Sequence, residues 1–245
     1  MAAADQTRPL VLVGTHHKTG TVWMQKLFSR FCKHLGERFY EGEQAALPDD
    51  AEVFLQWHSR FQPADLGRAY RGLHLIRDPR DVLISGAHYH RSSKEAWLHV
   101  RKLKFRGLTY QEAIGRRRSL AEAIVFEMQH VGGHTIREML AWNRADPCFR
   151  EVTYESLASV DGLDQLMGLL RFLGYPDPVL PQLRLIAKDV NIFHAGATTS
   201  GHARDGRPRQ WPEVFDQNLK DRFIAYFGDA LIRLGYENSH DWSWR

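Results

Sequence analysis

A chain of 245 residues, 43% apolar and 25% charged, has the composition of a soluble globular protein large enough for one generous core. Its formal charge of +4, scattered along the sequence, gives a mild liking for anions but no nucleic-acid footprint. Two cysteines without CxxC spacing speak against a disulfide framework or a cysteine zinc site, and thirteen histidines without an HExxH pattern speak against a metal.

Leu10 to Val13 reads as a first buried strand. The run is too short for a signal-peptide core or a membrane span, and no later segment reaches the length of a span. A cytoplasmic protein without membrane insertion is therefore expected. The strand runs into Gly14-Thr15-His16-His17-Lys18-Thr19-Gly20-Thr21. A helix follows, with apolar spacing at Trp23, Leu27, Phe28, Phe31 and Leu35 and a stop at Gly36. Strand, glycine-flanked turn and helix start gather backbone N–H groups and a positive dipole end around a phosphate-like anion. Lys18 adds a full charge, and Thr19 and Thr21 add hydroxyls. In the nucleotide triphosphatase loop the lysine follows the second glycine. Here Lys18 precedes Gly20 by two positions, so that pattern fails.

Val53 to Trp57 is the next candidate strand, followed by His58 and Ser59; Leu73 to Ile76 is the third. Beyond it, Asp78 suits an N-cap, Pro79 the first helical position and Asp81 the first turn. Those roles leave Arg77 unexplained at a strand end, where a planar guanidinium fork suits a phosphate. From His88 to Trp142 the chain reads as a helical insert, with S/T-x-x-E boxes at Thr109/Glu112, Ser119/Glu122 and Thr135/Glu138. Phe149 to Thr153 is a last strand. His194 to Pro212 lacks apolar periodicity, as a functional or disordered connection does. Leu219, Phe223, Phe227, Leu231 and Leu234 then form one apolar stripe ending at Gly235. Strands alternating with helices imply an α/β fold: a single domain with a central parallel sheet flanked by helices, plus the insert at about 88–142.

Lys18-Thr19-Gly20-Thr21-Val22-Trp23 resembles the 5′-phosphosulfate loop of the sulfotransferase family, K-[ST]-G-T-T-W, with Val22 in place of a second threonine. Arg77 to Ser85 resembles that family's 3′-phosphate motif, R-[ND]-P-[RK]-D-x-x-x-S. The resemblance implies a P-loop-type nucleotide-binding fold that takes 3′-phosphoadenosine 5′-phosphosulfate (PAPS) as donor. It releases adenosine 3′,5′-bisphosphate and needs no metal. Lys18, Thr19, Gly20, Thr21 and Val22 would hold the phosphosulfate, Trp23 the adenine, and Arg77 with Ser85 the 3′-phosphate.

By the same resemblance His58 is the general base, since an imidazole can accept a proton near neutrality. The family's flanking K-x-H-L-P pattern is absent, and His16, His17 and Ser59 stand as rivals. Tyr154-Glu155-Ser156-Leu157 looks like Y-E-[DS]-L, whose tyrosine lies near the adenine. Arg204-Asp205-Gly206 and the later Trp211 partly match R-K-G-x-x-G-D-W. That match implies 3′-phosphate contacts from Arg204 and Gly206, with Arg207 and Arg209 left open. The implied reaction is in-line sulfuryl transfer to a hydroxyl or amine of a small-molecule or carbohydrate acceptor, a sugar or glycosylated metabolite suiting the insert's mix of aromatics, His and Arg. Two alternatives remain: a P-loop kinase or nucleotide triphosphatase, and a non-catalytic nucleotide-binding relative.

Overall fold

The computed structural model describes residues 8–190 and 206–243. Its strands are β1 (Leu10–Gly14), β2 (Phe39–Glu41), β3 (Val53–Gln56), β4 (Tyr70–Ile76) and β5 (Phe149–Thr153). They form one sheet in the order β2-β3-β1-β4-β5, and every neighbouring pair is parallel. The helices, in chain order, are α1 (Thr21–Leu35), α2 (Pro79–Tyr89), α3 (Tyr110–Gly115), α4 (Leu120–Gln129) and α5 (Val131–Ala141). After β5 come α6 (Tyr154–Leu157), α7 (Gly162–Phe172), α8 (Leu180–Val190), α9 (Gln217–Phe227) and α10 (Ala230–Arg233). Among the described residues no helix is long and apolar enough to cross a membrane.

The chain forms two compact units. The first comprises Met1–Ile76 with Trp142–Ala197, and the second Arg77–Ala141 with Thr198–Arg245.

The first unit holds the whole sheet. Alternate residues of a strand point to opposite faces. Val11 and Val13 accordingly join Leu27, Phe28 and Phe31 of α1, Leu169 and Leu170 of α7, and Leu183 of α8 in one core. Leu10 and Leu12 join Phe54 and Phe61 in the other. Side chains as deeply withdrawn as Leu27, Phe28 and Phe31 each contribute about 1.5–3 kcal/mol by burial. The order of the strands reverses at β1, whose two neighbours, β3 and β4, both follow it in the chain and lie on opposite sides of it in the sheet. In open parallel sheets such a reversal opens the ligand crevice at the carboxyl ends of the strands.

The second unit is helical. Glu127, near the end of α4, lies at its centre. Its carboxylate accepts hydrogen bonds from the Tyr110 hydroxyl at 2.8 Å and the Gly132 N–H at 3.1 Å, and lies 2.7 Å from His90 Nδ1.

Four expectations need correction. Trp57 lies outside β3 and is exposed, because the strand ends at Gln56. β2 was not foreseen; three half-buried residues carry no readable period. Thr135 sits buried inside α5 and starts no helix, since that helix begins at Val131 and Glu127 accepts the Gly132 N–H. The C-terminal stripe is buried as expected but spans two helices, broken at Gly228, whose φ of 55° ends α9. The Thr109 box forms completely, whereas Ser119 caps α4 while Glu122 turns instead to the Arg118 N–H.

Candidate functional site

The loop after β1 folds on itself before α1 begins. The His16 N–H donates to Thr19 Oγ1 at 2.9 Å, and the Thr19 hydroxyl returns a bond of 2.9 Å to the His16 carbonyl. That carbonyl also accepts from the Thr19 N–H at 3.1 Å and the Thr21 hydroxyl at 3.0 Å. Both threonine hydroxyls thus spend their hydrogens shaping the loop. Lys18 is half-buried and held at φ 65°, a left-handed conformation uncommon outside glycine. Gly20 follows at φ 114°, where a Cβ would come within 3.1 Å of Tyr154 Cδ2. Gly20 occupies the N-cap position of α1, where no side chain caps the helix, and no acidic residue stands in the first turn. The first amides of a helix lack intrahelical partners, so this end carries positive potential. Trp23 is buried in the core beside Tyr154, edge to face with ring centroids 5.8 Å apart, while Val22 is exposed.

His58 lies in the turn after β3, half-buried. The turn is fixed from below. Buried Gln56 accepts the His58 N–H at 2.7 Å and the Arg60 N–H at 3.0 Å through one carbonyl oxygen. Ser59 donates to the Thr15 carbonyl at 3.0 Å, which ties the histidine turn to the loop after β1.

A chain of polar groups leads from buried His16 and His74 out to the surface. His16 Nε2 lies 2.7 Å from His74 Nε2, His74 Nδ1 lies 2.9 Å from Glu151 Oε2, and Arg144 Nε donates to Glu151 Oε1 at 3.0 Å. Burial, only partly offset by the Glu151 hydrogen bond, lowers His74 to a pKa of about 4 and keeps it neutral. Burial alone would raise the Glu151 carboxyl, but the bonds from His74 and Arg144 outweigh it and hold the group ionised. Glu151 can then only accept, so His74 Nδ1 carries the proton and His74 Nε2 accepts from His16. Trp142 stacks on His74 at 4.2 Å between centroids.

In the second unit Asp78 caps α2 by accepting the Arg80 N–H at 2.9 Å. Arg80 is locked: it bonds both Asp78 oxygens at 3.0 and 2.7 Å, reaches Glu237 at 2.7 Å, and lies 3.5 Å over the Trp211 ring. Asp81 accepts the Trp211 N–H at 3.0 Å. Arg77 is buried at the N-terminal end of α2, with Nη2 3.8 Å from Asp81 Oδ2. Ser85 is half-buried on the same helix.

No family model and no curated protein matches this sequence. Solved structures do. A mouse sulfotransferase, SULT7A1, in complex with PAP superposes with a TM-score of 0.61 and 15% identity over 91% of this chain and 84% of its own. A retinol dehydratase in complex with androsterone and the inactive cofactor PAP superposes at 0.55 and 17% identity, over 91% and 81%. The chain has the sulfotransferase fold.

On that sulfotransferase fold the expected donor residues fall into two groups. Lys18, Thr19, Gly20, Thr21, Val22, Trp23 and Tyr154 come together in the first unit, and His58 joins them through the Ser59 tether. Arg77, Ser85 and Gly206 belong to the second unit, and Arg204 lies outside the described residues. Trp211 packs on Arg80, so its ring is structural. Sequence reasoning missed His74 and Glu151. They pair across β4 and β5 in register, a juxtaposition with no trace in local spacing.

Proposed function

We propose that this chain transfers a sulfuryl group from PAPS to a hydroxyl or amine of a small-molecule or carbohydrate acceptor. The observation that carries the reading is the loop after β1, on a fold shared with two PAP-bound proteins. It combines a left-handed lysine and glycine with an uncapped helix start free of acidic residues. That donor set, all N–H groups and one ammonium, fits a phosphosulfate.

In this mechanism Lys18 and the first amides of α1 stabilise the charge that develops on the departing phosphate oxygen. His58 takes the acceptor proton as the new sulfur–oxygen or sulfur–nitrogen bond forms and the bond from sulfur to phosphate oxygen breaks. Arg77 and Ser85 hold the 3′-phosphate. Catalysis then rests on positioning and charge stabilisation, as in phosphoryl transfer, and no step calls on a metal.

One observation favours a second reading, a non-catalytic binder. Where the family pattern has a lysine two residues before the histidine, this chain has Gln56, buried and committed to the turn.

Two measurements separate the readings. Adenosine 3′,5′-bisphosphate at about a hundred times its Kd stabilises the fold by about 2.7 kcal/mol in a thermal-shift titration, and ATP with magnesium does so less. With radiolabelled PAPS and pooled acceptors the chain gives labelled product, and His58→Ala keeps bisphosphate binding while losing transfer. Binding without any labelled product would favour the non-catalytic reading. An equal or larger shift from ATP with magnesium would overturn both.

A further inference from the structure

The second unit contains a cavity of about 600 Å³, within the range that holds a small organic ligand. Two stretches bring cations to it: Lys104 and Arg106 before α3, and Arg116 and Arg117 after it. Phe105, Phe126 and His130 supply aromatic wall, and no carboxylate lines it.

Both rims are built. The loop from Lys102 to Leu108 closes through Phe105 N–H to Lys102 O at 3.0 Å, Arg106 N–H to Leu103 O at 2.8 Å and Lys102 N–H to Leu108 O at 3.1 Å. Arg106 is held at φ 55°. Opposite, Arg91 donates to the Arg117 and Ser119 carbonyls, each at 3.1 Å, and fixes the turn after α3.

Among the described residues none of the four cations forms an ion pair with a carboxylate. Arg117 instead lies 5.2 Å over the Phe126 ring with its Nε bonded to the Ala113 carbonyl at 3.2 Å, and Lys104 stands 5.0 Å from the Phe105 ring centre. The four cations outnumber the carboxylates acting on this region, Glu112 on Arg116 and Glu127 on His130. Burial first, and then the Lys104 charge, hold His130 below the ordinary histidine value. Four exposed cations around one hollow attract an anionic occupant.

We propose that this cavity binds a small organic polyanion, two or more carboxylate, phosphate or sulfate charges carried on an apolar ring. Arg117 and Lys104 grip the charges, and Phe105 with Phe126 receives the ring. No donor residue lines the cavity, so the site stands whether or not the chain transfers sulfate.

The test is calorimetric titration of the full chain with benzene-1,3,5-tricarboxylate. Saturating adenosine 3′,5′-bisphosphate is present so that the donor loop does not report. The tricarboxylate binds, and its affinity falls as salt rises from about 50 to about 300 mM. Neutral 1,3,5-tris(hydroxymethyl)benzene does not bind, and inorganic phosphate, a charge without a ring, binds at least about tenfold more weakly. Arg117→Ala and Lys104→Ala each weaken the tricarboxylate about tenfold or more, as loss of a charged hydrogen bond does. Arg137→Ala, which removes an exposed charge that does not line the cavity, leaves it unchanged. No binding, phosphate as tight as the tricarboxylate, or equal losses in all three variants would overturn the proposal. Repeating the titration without bisphosphate reads the cavity variants even if the donor reading fails.

Discussion

His74 makes the stability of the sheet pH-dependent in a calculable way. An ordinary histidine titrates near 6.5, and burial brings His74 down to about 4. As pH falls below 6.5 the unfolded chain takes up a proton that the folded chain refuses, so stability is lost across the window from 6.5 to 4 and is fully present above it. The full difference of about 2.5 in pKa corresponds to about 3 kcal/mol, of which about 2 kcal/mol is lost between pH 7 and pH 5. The bonds from His74 and Arg144 outweigh the burial of Glu151 and hold its carboxyl below the ordinary glutamate value, so it stays ionised between pH 7 and pH 5. Urea unfolding at pH 7 and pH 5 reads the effect, with His74→Asn as reference. Asparagine keeps a donor for Glu151 but cannot take up the proton. The wild type loses about 2 kcal/mol more than the variant over the interval. Parallel losses in the two proteins would refute the assignment of His74 as the neutral, buried link.

Lys18→Ala lowers kcat/KM for sulfuryl transfer by about 10²–10³, the cost of removing one preorganised charge from the departing oxygen, with an unchanged far-ultraviolet spectrum. Gly20→Ala forces a side chain into φ 114° against Tyr154. It costs about 1–3 kcal/mol, read by scanning fluorimetry as a Tm lower by several degrees, and weakens bisphosphate binding. Arg80→Met removes the guanidinium that bonds both oxygens of buried Asp78 and reaches Glu237, and destabilises the fold by about 3–5 kcal/mol in urea.

Local signals in the sequence were sufficient for the sheet strands with long apolar runs. Leu10 to Val13 and Leu73 to Ile76 lie within β1 and β4 because their side chains are withdrawn on both faces. The strand-to-helix turn after β1 was equally legible, since glycine placement and a helix start are local features. Two kinds of feature were not. The bonds from the Thr19 and Thr21 hydroxyls to the His16 carbonyl were not readable, because only the folded turn supplies that partner. The pairing of His74 with Glu151 depends on the register of β4 against β5, which are joined through the long stretch 77–141. The failure of the Thr135 box has the same origin, because a glutamate from the preceding helix took over the start of α5.

That long stretch has a consequence for synthesis. Arg77–Ala141 separates β4 from β5, so the ribosome must make it before the last strand exists. At roughly 5–20 residues per second this takes about 3–13 seconds. During that time the β4 edge that β5 will cover, with its buried Leu73, Leu75 and Ile76, remains open to pairing with other nascent chains. Translation speed through residues 77–141 therefore sets how long that edge stays without its partner strand.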